Sequence, residues 1–176
     1  MANRLGHPKI MDTNLAVENA IEIANVWQIF GDRADEALAD VKANGISKKE
    51  VLAKYGCVVG VADVSMNIQP GEIFCVMGLS GSGKSTLVRH INRLLEPTSG
   101  SITVNGQDIV SMGSDELRKY RNEHIAMVFQ NFALMPHRSV SDNVAMPLEI
   151  RGVNKNQRLE IAKQTLEMVD LTDWGN

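Results

Sequence analysis

The stretch "GLSGSGKST", Gly78–Thr86, decides how the rest of this 176-residue sequence is interpreted. It combines three glycines, three serines, a threonine and one lysine with a single leucine. Such a composition cannot build a hydrophobic core, so we expect a loop that binds a polar ligand. Gly78, Gly83, Lys84 and Ser85 satisfy the pattern G-x-x-x-x-G-K-[ST], which is the signature of a phosphate-binding P-loop.

The segments on either side of the loop predict the strand–loop–helix context that this motif requires. "EIFCVM" (72–77) is a continuous apolar run, typical of a buried strand in a parallel sheet. "KSTLVRHINRLLEP" (84–97) has the spacing of an amphipathic helix that Pro97 ends. The alternative, a Gly/Ser-rich connecting loop with one exposed lysine, is disfavoured by this context.

Each part of the loop has a chemical reason to be there. Glycines let the backbone wrap closely around an anion, and successive N–H groups at a helix start converge on phosphate oxygens. Lys84 would neutralise the β- and γ-phosphates, and the Ser85 hydroxyl is a hard oxygen ligand for Mg²⁺. The predicted nucleotide-binding residues are Gly78, Leu79, Ser80, Gly81, Ser82, Gly83, Lys84, Ser85 and Thr86.

The rest of the chain alternates between strand and helix patterns. We predict strands at 19–31, 58–68, 99–109 and 124–129, a helical insertion at 32–54, and helices at 114–121, 141–152 and 154–171. Asn44-Gly45 breaks the insertion, and Ser47 with Glu50 forms a capping-box pattern. We interpret the charges of the insertion as a solvated face. The order of elements predicts an α/β core followed by a helical subdomain.

Composition indicates a globular protein of the cytoplasm and excludes several classes. The apolar fraction of 44% and the charged fraction of 22% are ordinary for a globular protein. The net charge of −3 and the pI near 5.8 indicate no broad basic surface for nucleic acid. No apolar run approaches the ~20 residues of a membrane-spanning helix, and the N-terminus has no pattern of an export signal. Cys57 and Cys75 lack a CxxC spacing, which suits a reducing compartment, and we expect Cys75 in the core.

Two longer stretches carry a family resemblance. "GEIFCVMGLSGSGKSTLVRHINRLLEPTSGSITVNGQDI" (71–109) and "IAMVFQNFALMPHRSVSDNV" (125–144) resemble the ATP-binding subunits of ABC transporters, most closely those of glycine betaine/proline-type osmoprotectant importers. The insertion ahead of the second strand resembles the same subgroup. The implied fold is an α/β P-loop NTPase core of the ABC ATPase type, with an N-terminal tail at 1–17, the core at 18–130 and the start of a helical subdomain at 131–176.

The resemblance implies roles for residues outside the loop. Gln130 matches the Q-loop glutamine, which in the family reaches Mg²⁺ and the attacking water. The implied catalytic residues are Lys84 and Gln130. The implied metal ligands are Ser85 and Gln130. ATP and Mg²⁺ are the implied cofactors. The implied partners are a second ATP-binding subunit in a head-to-tail dimer, a membrane permease docking at 131–140 and, indirectly, a periplasmic or extracellular substrate-binding protein. The implied location is the cytoplasmic face of the cell membrane, with no nucleic-acid partner.

The aromatic residue that stacks on adenine has two candidates. The family places it shortly before a glycine upstream of the P-loop, and both Phe30-Gly31 and Tyr55-Gly56 fit. Phe30 better matches the end of the first strand, whereas Tyr55 has the better spacing to the following strand. The spacing favours Tyr55, although either ring could be purely structural.

The sequence also departs from the family pattern. The signature motif, the Walker B strand with its aspartate and glutamate, and the switch histidine do not occur in it. We therefore expect an N-terminal fragment, truncated before the signature. The resemblance implies that the intact subunit is an ATPase that couples ATP hydrolysis to transport, whereas the fragment alone would be inactive. We also expect the strands at 72–77 and 124–129 to lack neighbours and to expose apolar surface. The alternatives are a nucleotide-binding module that does not hydrolyse and a DNA-maintenance ATPase, the latter disfavoured by the acidic balance.

Overall fold

The computed structural model describes residues 19–130 and 134–175, which fall into two compact units, Met1–Leu117 and Arg118–Asn176. The predicted tail at 1–17 lies outside the described residues. The first unit contains the sheet, the insertion and the phosphate-binding loop, and the second is helical. The predicted boundary at 130–131 stays a prediction.

A four-stranded antiparallel sheet forms the centre of the first unit, in the order β2-β1-β3-β4. Its strands are β1 (Ile21–Phe30), β2 (Val58–Ile68), β3 (Ser99–Val104) and β4 (Gln107–Asp108). The central strand β1 pairs Ile21 with Ile68 on one side and with Val104 on the other. These strands confirm the predictions at 19–31, 58–68 and 99–109.

The predicted insertion is a pair of helices packed on the sheet. α1 (Ala34–Asn44) ends at Gly45, and α2 (Lys48–Tyr55) begins after Ser47. Both hydrogen bonds of the capping box are present, because Ser47 Oγ accepts from the Glu50 amide and the Glu50 carboxylate accepts from the Ser47 amide. The insertion shares one core with the sheet, whose fully buried members are Ile29, Ala37, Leu38, Val51 and Cys57.

The predicted strand at 72–77 is wrong. Residues 72–79 follow no regular structure, Ile73 and Met77 are 91% and 90% exposed, and Cys75 is exposed rather than in the core. A β-strand needs a neighbour for its backbone hydrogen bonds, and none of the four strands in the described part of the chain pairs with this segment. The exposure confirms that this apolar segment lacks neighbours.

The same reason corrects the prediction at 124–129. α4 (Ser114–His124) occupies its first residue, and 125–129 form no strand among the described residues. Val128 is 86% exposed, so this apolar run also lacks a partner. Strand propensity alone did not create a strand where no neighbouring strand supplies the hydrogen bonds.

The helix after the loop, α3, runs from Lys84 to Ile91 and buries Leu87 and His90. It is shorter than the predicted 84–97 because Arg93 adopts a left-handed backbone conformation with φ +50°. Burial lowers the pKa of the His90 imidazole, whose Nδ1 lies 2.9 Å from the Leu95 carbonyl oxygen. This contact between the His90 imidazole and the Leu95 carbonyl holds the segment that follows α3 against the end of the helix.

The second unit contains a helical hairpin of α5 (Val140–Ile150) and α6 (Lys155–Glu167), followed by a short 3-10 helix at Thr172–Trp174. The two helices confirm the predictions at 141–152 and 154–171. Pro147 lies inside α5, which nevertheless continues to Ile150. The Glu149 carboxylate lies 2.8 Å from Arg138 Nη1 and 3.4 Å from Arg158 Nη2, which ties the hairpin together.

Candidate nucleotide-binding site

The phosphate-binding loop leads directly into α3, and Gly83 fixes the junction. Gly83 has φ +91°, and a Cβ there would collide with the Gly60 carbonyl oxygen of β2. Its own carbonyl accepts the first helical hydrogen bond, from the Leu87 amide at 2.9 Å. Only glycine allows both this backbone angle and this close approach to the sheet, so the sequence pattern has a local structural cause.

The start of α3 presents backbone donors without side-chain competition. No side chain caps this helix, and its first turn contains no acidic residue. The first amides of a helix have no partner within the helix, and they lie at the positive end of its dipole. This end of α3 is therefore suited to hold a phosphate group.

Lys84 is the cation of the loop. Its ammonium donates to the carbonyl oxygens of Gly78 and Leu79 at 2.8 and 2.7 Å, and lies 3.3 Å from Ser82 Oγ. Because these three acceptors belong to the loop, the side chain folds back over it rather than into solvent. The ammonium is thus held at the centre of the loop, where a bound phosphate would meet it.

The remaining predicted residues surround this centre. Leu79 is 85% exposed, and Ser80, Gly81, Ser82 and Ser85 are also exposed, while Thr86 is half-buried. The Ser82 amide donates to the Leu79 carbonyl at 3.2 Å and closes the turn of the loop. The accessible Ser85 hydroxyl in the first turn of α3 is of the chemical type that Mg²⁺ binds. In residues 19–130 and 134–175, no three His, Cys, Asp or Glu side chains form a metal cluster.

A cavity of about 410 Å³ lies between the loop and β2. Its volume is in the range of small-molecule sites. The lining residues are Lys48, Gly60, Val61, Ala62, Val64, Met66, Val76, Met77, Gly78, Ser82, Gly83, Lys84 and Leu87. The charged side chains among them are both lysines, so the cavity favours an anion.

Lys48 is the residue of this cavity that sequence reasoning missed. The charges of the insertion are predicted to form a solvated face, and Lys48 is indeed exposed, yet it also lines the cavity that Lys84 lines. The two residues are far apart in sequence, and only the packing of α2 beside β2 brings them to one site. No local pattern could have indicated that.

The two candidate aromatics occupy different environments. The Tyr55 hydroxyl donates to Asp40 Oδ2 at 2.7 Å, and Arg33 Cζ lies 4.8 Å from the centre of its ring. Tyr55 is thus engaged within the insertion. The Phe30 ring is 40% exposed and lies against Gly60, where a Cβ would come within 2.6 Å of Cε2. Gly60 lines the cavity, so Phe30 packs against a residue of the cavity wall, although neither Phe30 nor Tyr55 lines the cavity itself.

Gln130 belongs to the second unit, where it is exposed at a turn after the irregular segment 125–129. Of the predicted docking segment 131–140, residues 131–133 lie outside the described residues. Leu134 is exposed, and the Met135 backbone exchanges hydrogen bonds with the Asn143 side chain. The joint action of Gln130 and Lys84 stays a prediction.

The loop, the uncapped helix start and the cationic cavity define a P-loop nucleotide-binding protein. The model of the ABC transporter family matches residues 61–175, and the chain therefore belongs to that family. This finding confirms the family resemblance and the predicted fold class.

Related proteins agree with this assignment. The chain is 47% identical over 156 residues to the glycine betaine/proline betaine transport system ATP-binding protein ProV of Escherichia coli (strain K12). The aligned region covers 89% of this chain and 39% of ProV. The chain is also 47% identical over 151 residues to the glycine betaine transport ATP-binding protein OpuAA of Bacillus subtilis (strain 168), spanning 86% of this chain and 36% of OpuAA. The chain thus spans less than two fifths of these relatives' length.

A solved structure shows the same fold. The dimeric post-hydrolysis state of the ATP-binding cassette MJ0796, bound to ADP and Pi, aligns with a TM-score of 0.69 at 27% identity. The alignment covers 89% of this chain and 60% of that one. No helix in the described ranges is both long and apolar enough to cross a membrane.

Proposed function

We propose that this chain is the nucleotide-binding part of an ABC importer ATPase for glycine betaine-type osmoprotectants. The observation that carries the proposal is the ammonium of Lys84, held at the centre of the glycine loop beside the uncapped start of α3. ProV and OpuAA, which are named for glycine betaine transport, support the substrate class. The substrate assignment rests on this relatedness, because an ATP-binding subunit need not touch the transported molecule.

Nucleotide binding follows from the geometry of the loop. The phosphate chain of ATP would accept hydrogen bonds from the first amides of α3, and Lys84 would exchange its loop carbonyl partners for phosphate oxygens. This exchange favours binding, since an ammonium–phosphate contact is stronger than a contact with neutral carbonyls. The adenine would lie towards Phe30, and Phe30 therefore replaces Tyr55 in the proposal.

Hydrolysis requires groups beyond the loop. Ser85 would hold Mg²⁺, and that ion supplies charge neutralisation at the β- and γ-phosphates. Gln130 would orient water at the same phosphate. Phosphoryl transfer depends on positioning and electrostatics, so binding and turnover are separable properties of this chain.

The working assembly in this proposal contains two ATP-binding subunits, a membrane permease contacted through 131–140 and a substrate-binding protein outside the membrane. The chain would act at the cytoplasmic face of the membrane. The solved relative MJ0796 is dimeric, which supports the paired arrangement.

Betaine uptake in cells tests the proposal. We expect Lys84→Ala in the chromosomal gene to abolish uptake of labelled glycine betaine at high osmolarity, because the nucleotide loses its central cation. Lys119→Ala, an exposed lysine of α4 outside the cavity, is the control and should transport normally. Normal uptake in the Lys84 variant would refute the proposed function.

The second candidate function is nucleotide binding without turnover. It needs only the loop, the Lys84 ammonium and the start of α3, all of which the first unit supplies. In that case the purified chain binds ATP, and its bound ATP remains intact over hours. Release of phosphate above the rate of the Lys84→Ala variant would exclude this candidate.

A further inference from the structure

Lys48 is a cation of the insertion that shares a cavity with the phosphate-binding loop. It is the first residue of α2, is exposed, and lines the same cavity as Gly78, Ser82 and Lys84. The insertion packs on the sheet through its own buried core, so the position of α2 beside β2 is fixed independently of the loop. The fold itself therefore brings Lys48 to the site.

Helix stability does not explain a lysine at this position. The positive end of the α2 dipole opposes a cation in the first turn, and the capping box of Ser47 and Glu50 already stabilises the helix start. Lys49 carries the same electrostatic cost but does not line the cavity. In the described ranges the Lys48 ammonium forms no hydrogen bond or ion pair with another residue, so no internal partner accounts for it either.

The charge of the cavity indicates its ligand. Its lining contains two lysines and no carboxylate, and most of its other side chains are apolar. Two cationic residues on a partly apolar wall favour a ligand that carries negative charge. A ligand that carries several negative charges along an extended chain can contact both lysines. The phosphate chain of a nucleotide has this property.

We infer that Lys48 is a second cationic contact to the phosphate chain of the nucleotide bound at the loop. The inference rests on the proposed nucleotide binding and adds the insertion to the site. Lys48 is then a positioning residue, since it contacts the phosphate chain from α2 while the loop and α3 hold it from the other element of the site. It should favour the more highly charged nucleotides, ATP over ADP over AMP.

Equilibrium binding of ATP to the purified chain, measured over a series of salt concentrations, tests this inference. We expect Lys48→Ala to weaken ATP binding about fivefold at low salt, which is the size of a partly solvated charge contact. The dependence of affinity on salt should also become shallower, because one ammonium no longer contacts the phosphates. Lys48→Arg should restore both properties, and Lys49→Ala should match the parent chain.

Each outcome decides between the inference and its alternatives. Equal affinity and equal salt dependence in the parent and Lys48→Ala would overturn the role of Lys48 while leaving nucleotide binding intact. Equal losses in Lys48→Ala and Lys49→Ala would show a general effect of α2, and also overturn it. If the folded parent chain binds no ATP, the proposed nucleotide binding and this inference fail together. Far-UV circular dichroism of each variant identifies one that has lost affinity because it is unfolded.

Discussion

At the scale of single residues, Lys84 and Gly83 show why the loop could be found from sequence. Both perform tasks that no other residue type performs as well, since Gly83 meets the sheet at a positive φ and Lys84 binds several acceptors at once. Lys48 and Phe30 belong to the same region through packing between distant segments. The roles we propose for them therefore rest on the placement of the strands and helices and could not be proposed from a local sequence pattern.

The aromatic pair gives a residue-scale prediction. Phe30→Ala should weaken ATP binding about tenfold, because stacking of a base on an aromatic ring contributes roughly 1–3 kcal/mol. Tyr55→Phe should leave ATP affinity unchanged and lower the thermal stability of the chain, because its hydroxyl donates to Asp40. Titration of both variants with a fluorescent ATP analogue measures this difference. The opposite pattern would return the stacking role to Tyr55.

At the scale of elements, the helices were predictable and two strands were not. Asn44-Gly45 and the Ser47–Glu50 capping box are local signals, and the helix boundaries of the insertion follow them. The runs 72–77 and 124–129 have equally strong apolar patterns. A strand, however, depends on a neighbour elsewhere in the chain, and this requirement cannot be read from the run itself.

Asp40 gives a prediction for the insertion. Hydrogen bonds from Lys54, Asn44 and Tyr55 lower the pKa of its carboxyl group to about 2. Because this pKa lies below the ordinary value of 3.8, the contribution of Asp40 to stability is present above that value and is lost as the pH falls towards 2. We expect Asp40→Asn to melt a few degrees lower than the parent chain near neutral pH.

The pH series separates this ion-pair effect from a change in packing. The melting temperatures of the parent and Asp40→Asn should converge as the pH falls through this window, because the protonated acid resembles the amide. Circular dichroism melts at successive pH values measure the convergence. A difference that stays constant down to the lowest pH would show that the charge of Asp40 does not stabilise the insertion.

At the scale of the whole molecule, the described chain combines well-ordered packing with exposed apolar segments. The sheet and the insertion share a buried core, whereas 72–79 and 125–129 lie outside any strand ladder. The family relatives are more than twice as long as the matched region, as the coverage of 39% of ProV shows. The sequence motifs predicted the family and the exposure of these two apolar runs, and the structure showed that neither run forms a strand.

Limited proteolysis tests this division. Chymotrypsin should cleave first after Phe74 and Phe129, because both lie in irregular segments that can enter the protease cleft. Phe30 and Trp27 lie in the central strand β1 and should be cut later. Mass spectrometry of the first fragments identifies the sites. Early cleavage within β1, with residues 72–79 intact, would contradict the described packing.

Calorimetric titration of ATP into the purified chain and its Lys84→Ala variant shows whether this loop holds a nucleotide. We expect saturable binding to the parent chain and affinity about 10- to 100-fold weaker in the variant, the range expected for the loss of a charged hydrogen bond. Circular dichroism must show that both chains are folded. Equal affinity in the two proteins, or no binding by the folded parent chain, would contradict the claim that this loop holds a nucleotide.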